Sequence, residues 1–381
     1  MWVQTLQLND FRSYKEAHVE FSPGVNVLVG SNGRGKTNIV EAIYYLATLN
    51  SHRVASENSL VKFGAASAVI RSKINQDERA LTIDIEISPG KTNRAKLNRS
   101  PVPRVRDILG IVRVIMFAPE DLALVKGDPS ERRNFMDQTL IQRTPKFLGV
   151  KSDYEKVLRQ RNALLKSSNR ENIDSTLQVW NDQLAQLGAE ITYSRIQFIR
   201  ELTPFICTRY NLISGGENAV SASEISLTYQ SKYLTGGDLE SLTRDEIKEH
   251  ILEQLGVRKK EEALRGVTLV GPHRDELFIQ LGALPLKGYA SHGESWSAAL
   301  ALRVASADVL KADGIDPILI LDDVFAELDV LRRTTILELT QRAPQVFITA
   351  AVESDVPIEI VGPRFHISSD SIVAHGVVPF G

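Results

Sequence analysis

Gly30-Ser31-Asn32-Gly33-Arg34-Gly35-Lys36-Thr37 spells the phosphate-binding pattern G-x-x-x-x-G-K-[ST], and its reading decides the fold. Val25-Asn26-Val27-Leu28-Val29 before it has the apolar content of a short buried strand. Asn38 to Leu49 after it carries Ile39, Ile43 and Leu46 at helical spacing. Strand, glycine turn and helix start are the context in which successive backbone N–H groups can point at a polyphosphate. Lys36 supplies a charge for the β- and γ-phosphates, and the Thr37 hydroxyl is placed to bind Mg²⁺. At ordinary glycine frequencies the pattern alone arises by accident in roughly one chain in a hundred of this length. The flanking strand and helix lower that further, so the ATP-binding residues are taken as Gly30 to Thr37.

A second stretch completes the site. Ile318-Leu319-Ile320-Leu321-Asp322-Asp323 is a buried strand ending in two acids, the form of a Walker B element. Asp322 is the expected metal partner beside Thr37, and Asp323 the residue that orients the attacking water. Nearly 290 positions separate the two elements, so a nucleotide core split by a long insertion is expected.

Composition narrows the class. The 381 residues allow two domains or one domain with a large insertion. An apolar share of 43% and a charged share of 24% are those of a soluble globular chain. A formal charge of −2 excludes a generally basic nucleic-acid coat, so DNA must be met by a local patch. Cys207 is the single cysteine, which leaves no intramolecular disulfide or cysteine zinc site. Without an apolar run of membrane-spanning length or a signal-like start, a cytoplasmic protein with no membrane partner is expected.

Along the chain, residues 2–8, 17–21, 25–29, 67–74, 80–87 and 111–117 read as strands. From about Arg132 to Thr203 the period turns helical. Leu177, Trp180, Leu184, Leu187, Ile191, Phe198 and Leu202 form one apolar seam, better suited to a packed helical hairpin than to a coiled coil. Residues 211–245 suggest loops and one strand at Ile225 to Tyr229. Val267 to Val270, Leu277 to Gln280, Ile318 to Leu321 and Val346 to Thr349 read as strands, and Ser295 to Asp313 and Val330 to Arg342 as helices.

Two further motifs resemble those of ABC-type ATPases. Ala290-Ser291-His292-Gly293-Glu294 is similar to their signature loop, and Ala326-Glu327-Leu328-Asp329 to their D-loop. A serine at a helix N-terminus suits contact with the γ-phosphate of a nucleotide held by another copy. A purely local N-cap is the plainer alternative for Ser291.

As a set, the motifs identify the chain as a member of the RecF family of bacterial DNA-repair proteins. They include Leu8-Asn9-Asp10-Phe11-Arg12-Ser13-Tyr14, Ser51-His52-Arg53 and Pro119-Glu120-Asp121-Leu122. Val125 to Pro129, Arg132 to Asp137, Gly271-Pro272-His273-Arg274-Asp275-Glu276-Leu277 and Asp322 to Asp329 belong to the same set. The resemblance covers nearly the whole chain, most weakly between about 140 and 260. It implies an α/β fold: an ABC-type P-loop ATPase lobe related to SMC heads, with an inserted, mainly helical second lobe. We expect the ATPase lobe in residues 1–137 and 265–381, and the insert in 138–264.

The resemblance also places Arg12 in the ATP site. It implies ATP and Mg²⁺ as cofactors, a homodimer formed with ATP, and slow, DNA-dependent hydrolysis that acts as a switch. Double-stranded and gapped or junction DNA, RecR, RecO and RecA are the implied partners, in recombinational repair, replication-fork maintenance and the SOS response. Glu327, Leu328 and Asp329 are the implied D-loop residues. Asp323 stands where most ABC proteins have Glu, as is typical of this family. A switch His after the Val346–Thr349 strand and a Q-loop Gln are missing, with Thr349-Ala350 and Pro119-Glu120-Asp121 in their places. These absences argue against a transporter ATPase subunit, and the lack of long heptads argues against an SMC-like chromosome protein. A module that binds ATP without turnover is a third alternative.

For DNA, Lys91, Arg94, Lys96, Arg99, Arg104 and Arg106 occur without an intervening acid, and the helical region adds Arg132, Arg133 and further basic residues. Of these, Arg94, Lys96, Arg99, Arg104, Arg132 and Arg133 are the candidate phosphate contacts. A solvated charged face is the alternative for each one.

Overall fold

Period-two alternation along Trp2–Phe11 would place Val3 and Leu6, three positions apart, on opposite faces. Both are fully buried, because the register with the neighbouring Ala68–Gln76 strand shifts between Val3 and Thr5. That irregularity re-aims Val3 to the core face of Leu6 and Leu8, while Phe11 is buried after Asp10, which stands at φ 49. The chain here is a computed structural model describing residues 1–54, 56–76, 79–167, 173–215, 224–234, 239–325, 330–368 and 372–375.

It divides into two units. The first comprises Met1–Leu122, Thr208–Ala222 and Ser291–Gly381, and the second Ala123–Cys207 and Ser223–Ala290. These divisions differ from the expected 137/138 and 264/265. Arg132, on the Pro129–Arg143 helix, makes a bidentate ion pair with Glu276, on the Glu276–Leu281 strand. That pairing ties both flanks of the insert to the second unit.

The first unit holds two six-stranded sheets. One is antiparallel, in the order Tyr14–Glu20, Trp2–Phe11, Ala68–Gln76, Arg79–Ile87, Arg94–Leu97, Ser100–Pro101. The other runs Ile372–His375, Arg364–Ile367, Gly24–Val29, Gln345–Ala350, Ile318–Asp322, Val114–Phe117, with only the Ile372–His375 edge antiparallel. Its inner strands are apolar runs because both faces are covered. The Lys36–Thr48 helix is buried around its circumference from Ile39 onward, with Ile39, Val40, Ala42, Ile43, Tyr44, Tyr45, Leu46 and Ala47 in the core. They share one core cluster with residues of both sheets, so this helix is the layer between them.

The second unit combines helices with a small antiparallel sheet of Ile225–Gln230, Glu276–Leu281 and Leu284–Pro285. Val267 to Val270 is not a strand but an irregular link into the Pro272–Arg274 turn. There the Leu269 N–H donates to the buried Glu262 carboxylate, outside any ladder. The helix expected to end near Thr203 continues through Pro204, spanning Ile173–Ser214. Its seam is buried at Leu177, Leu184, Ile191, Phe198 and Leu202. Arg161 of the Lys146–Lys166 helix joins it by donating to Asn181, as a packed hairpin requires.

Candidate nucleotide-binding site

The site is built where three parallel strands end side by side. Gln345–Ala350 lies between Gly24–Val29 and Ile318–Asp322, with Thr349 in register with both Leu28 and Asp322. The chain leaves Val29 into the glycine loop and enters the helix at Lys36. Gly35 sits at φ 107, and a Cβ there would meet the Tyr14 hydroxyl at 2.5 Å, so only glycine fits. A Cβ on Gly30 would run into the Ile367 carbonyl. The loop is therefore held against two neighbouring elements.

Lys36 is buried, its Nζ donating to the Gly30 carbonyl at 2.7 Å and lying 3.9 Å from Asp323 Oδ1. Asn32 Oδ1 is 3.4 Å from the same nitrogen. Thr37 Oγ1 donates to Asp322 Oδ1 at 3.3 Å, and Thr349 Oγ1 donates to that same oxygen at 2.5 Å. The Asp323 N–H donates back to Thr349 Oγ1 at 2.9 Å. Thr349, which stands in the sequence where a switch His is expected, thus fixes both Walker B acids.

Asp322 is almost wholly buried, and burial pushes its carboxyl up to about 6. The charges of Asp323 and Glu120 push the same way, against the hydrogen bonds from Thr349 and Thr37. Asp323 adopts φ 50, the left-handed region that costs a non-glycine residue about 1 kcal/mol. Its carboxylate lines a cleft of about 210 Å³ with Asn32, Pro119, Phe325, Thr349, Ala350, Ala351 and Asp355.

Arg12 is tied to the buried Glu41 through Nε and Nη2, at 2.7 and 2.5 Å, and to the Ser59 carbonyl through Nη1. Ser51 Oγ donates to the same Glu41 at 2.5 Å. The neighbouring Ser13 hydroxyl accepts from Asn38, which joins the Arg12 turn to the start of the loop helix. His52 was visible in the sequence only as part of a motif. Its Nε2 lies 4.0 Å from Asp322 Oδ2, and its ring meets Tyr44 edge-on. Neither ring nitrogen has a hydrogen-bond partner among the described residues. Burial pushes the imidazole down to about 4, so it is neutral at physiological pH.

Ser291 caps the His292–Ala312 helix. Its Oγ accepts from the Glu294 N–H at 3.2 Å while its own N–H donates to Glu294 Oε2 at 2.7 Å. The local capping role is thus present, and Ser291 and His292 remain exposed. His292 Nε2 accepts from Trp296, and Gly293 leaves room for Arg332, which donates to the Gly293 carbonyl. The D-loop residues Glu327, Leu328 and Asp329 lie outside the described residues.

Among the candidate DNA contacts, Arg94, Lys96, Arg99 and Arg104 are exposed in the first unit. Arg132 is a correction. It is 5% exposed and saturated by Glu276 and the carbonyls of Leu124 and Gly127, so it cannot reach a phosphate. Arg133 is half-buried and donates to the Asp275 carbonyl. The Gly271–Leu277 motif is likewise internal to the second unit, where Asp275 accepts from Tyr229 and Tyr233.

A twisted parallel sheet with this loop, these two acids and an antiparallel sheet over the loop helix defines an ABC/SMC-type nucleotide-binding protein. The family model of the RecF/RecN/SMC N-terminal domain matches residues 2–357. The chain is 49% identical to DNA replication and repair protein RecF of Streptomyces avermitilis, covering 98% of this chain and 99% of that one. It is 45% identical to the protein of that name from Cutibacterium acnes, with 98% of each covered. A solved structure of the recombination mediator protein RecF with ATPrS, in the RecFOR pathway, superposes with TM-score 0.87 at 27% identity over 98% of each chain. The ATP-bound form gives TM-score 0.86 at 26% identity over 98% of this chain and 99% of that one. An Smc head domain from Pyrococcus furiosus, at 16% identity and TM-score 0.54, shares the fold. The chain belongs to the RecF family of DNA replication and repair proteins.

Proposed function

We propose that the protein is an ATP-dependent DNA clamp of recombinational repair, a slow ATPase that works as a switch. The approach of Thr37 to Asp322 at 3.3 Å, across 285 positions of sequence, carries this reading. It supports one site assembled from both halves of a split nucleotide core. The loop amides and Lys36 hold the phosphates, with Asn32 lining the cleft. The hydroxyl of Thr37 and the carboxylate of Asp322 are hard oxygen donors that suit Mg²⁺. When bound, that ion neutralises charge on the β- and γ-oxygens.

Asp323 orients the attacking water. Its side chain is one methylene shorter than the usual Glu and is held at the cleft by a strained backbone, which suits slow turnover. Ser291, exposed at the N-terminus of a 21-residue helix, is placed to meet the γ-phosphate bound by a second copy. Two ATP molecules would then be buried between two copies.

The naming of the relatives supports DNA replication and repair as the setting, and gapped or junction DNA is the substrate class of this reading. The RecFOR assignment of the two solved structures supports RecO and RecR as partners, and RecA loading is the outcome of this reading. Among the described residues no helix is long and apolar enough to cross a membrane, and a cytoplasmic site of action follows from the DNA substrate. ATP turnover measured with and without gapped duplex is the test. Slow hydrolysis that rises with DNA is expected; binding without any turnover would leave a passive ATP-holding module instead.

A further inference from the structure

Asp322 spends its Oδ1 on Thr37 and Thr349, while its Oδ2 faces the His52 ring at 4.0 Å. His52 follows the loop helix, and the Arg53 and Val54 N–H groups donate to Ser51 Oγ, which itself donates to the buried Glu41. The imidazole is thereby fixed in place with 11% of its side chain exposed, yet neither nitrogen has a hydrogen-bond partner among the described residues. Burying an imidazole in this way costs free energy unless a ligand or water completes it. Rigid placement beside an acid's spare oxygen indicates where the partner comes from.

We propose that His52 is a positioning residue for the metal of the nucleotide site: with Asp322 Oδ2 it holds one water of the hydrated Mg²⁺. A gap of 4.0 Å is one that a single water bridges with two hydrogen bonds of about 2.8 Å meeting near a right angle. Magnesium keeps several of its waters when bound, and those waters are strong donors. One hydrogen goes to Asp322 Oδ2 and the other to the lone pair of His52 Nε2, which sets the ring proton on Nδ1. His52 touches neither the nucleotide nor the reacting atoms. It acts through the water shell, as outer-shell partners of metal sites do.

This rests on the nucleotide-site reading, and the test separates the two. Binding of mant-ATP to the full-length protein is followed by fluorescence, first in EDTA and then on titration with Mg²⁺. His52→Ala is expected to leave metal-free binding unchanged and to raise the Mg²⁺ midpoint about tenfold or more. His52→Gln, whose carbonyl reaches the place of Nε2, is expected to recover most of the loss. His52→Asn, whose amide stops near Nδ1, is not. The Gln–Asn contrast also holds the test if the alanine variant fails to fold. A wild-type protein that binds no mant-ATP would remove the site itself. With wild-type binding intact, an unchanged Mg²⁺ midpoint in His52→Ala, equal midpoints for the Gln and Asn variants, or matching losses with and without metal would overturn the role of His52 alone.

Discussion

Asp322→Asn exchanges a buried carboxylate for an amide of the same shape. The Asn Oδ1 can still accept from Thr37 and Thr349, so the hydrogen bonds at 3.3 and 2.5 Å have a counterpart in the variant. What disappears is a charge that the fold disfavours. Burial and the neighbouring Asp323 and Glu120 charges move the Asp322 carboxyl from its ordinary 3.8 to about 6. Because the folded protein holds this proton more tightly than the unfolded chain, the wild type is favoured below about pH 4 and loses that stability as pH rises through 6. The difference corresponds to on the order of 3 kcal/mol at neutral pH. The variant escapes this loss. Its unfolding temperature without ligands should therefore exceed that of the wild type by several degrees at pH 7.5, and the gap should close near pH 4. In Mg²⁺ and ATP the order should reverse, since only the wild type gains from the metal. Calorimetric unfolding at both pH values reads the effect. An Asp322→Asn protein less stable than wild type at pH 7.5, or a gap that does not change with pH, would refute the assignment of Asp322 as a destabilising metal-ready acid.

Asp323→Asn removes the carboxylate proposed to orient water but no phosphate contact, so hydrolysis should stop while mant-ATP binding persists and ATP-bound dimers accumulate in sedimentation. Ser291→Arg places a bulky cation at the exposed helix start; ATP binding should be unchanged and ATP-induced dimerisation lost in the same assay. Arg132→Ala strips the bidentate partner from Glu276 and should destabilise the second unit by about 3 kcal/mol, seen as a lower denaturant midpoint with nucleotide binding retained. Arg94→Ala and Lys96→Ala, on an exposed strand, should leave that midpoint unchanged and each reduce the salt slope of DNA binding by about 1.

The nucleotide core was legible because its residues are local and its strands are apolar runs. Gly30 to Thr37 and Ile318 to Asp323 each declare their element, and the adjacent Gln345–Ala350 strand was readable for the same reason. The partnership of Thr349 with Asp322 was not, since it depends on parallel register between strands. His52 was hidden in a different way: its significance is the absence of a partner within a packed core, which no spacing reports. In the helical region, charge misled. Arg132 and Arg161 look like a solvated or DNA-facing surface in sequence, but each is buried on a carboxylate partner, Glu276 and Glu262. Pairing between distant positions decides that, so composition cannot. The unit divisions at 122/123 and 290/291 are not legible for the same reason, because Arg132 and Glu276 are far apart in sequence. Pro204 did not end its helix, a case of tertiary packing overriding local preference.

Sedimentation velocity of the wild-type protein with and without saturating ATP and Mg²⁺ probes the clamp itself. The proposed composite site, with Lys36, Thr37 and Asp322 on one copy and an exposed Ser291 for its twin, predicts a monomer that becomes a dimer only with the nucleotide. A sedimentation coefficient unchanged by ATP, in protein that demonstrably binds it, would contradict the clamp.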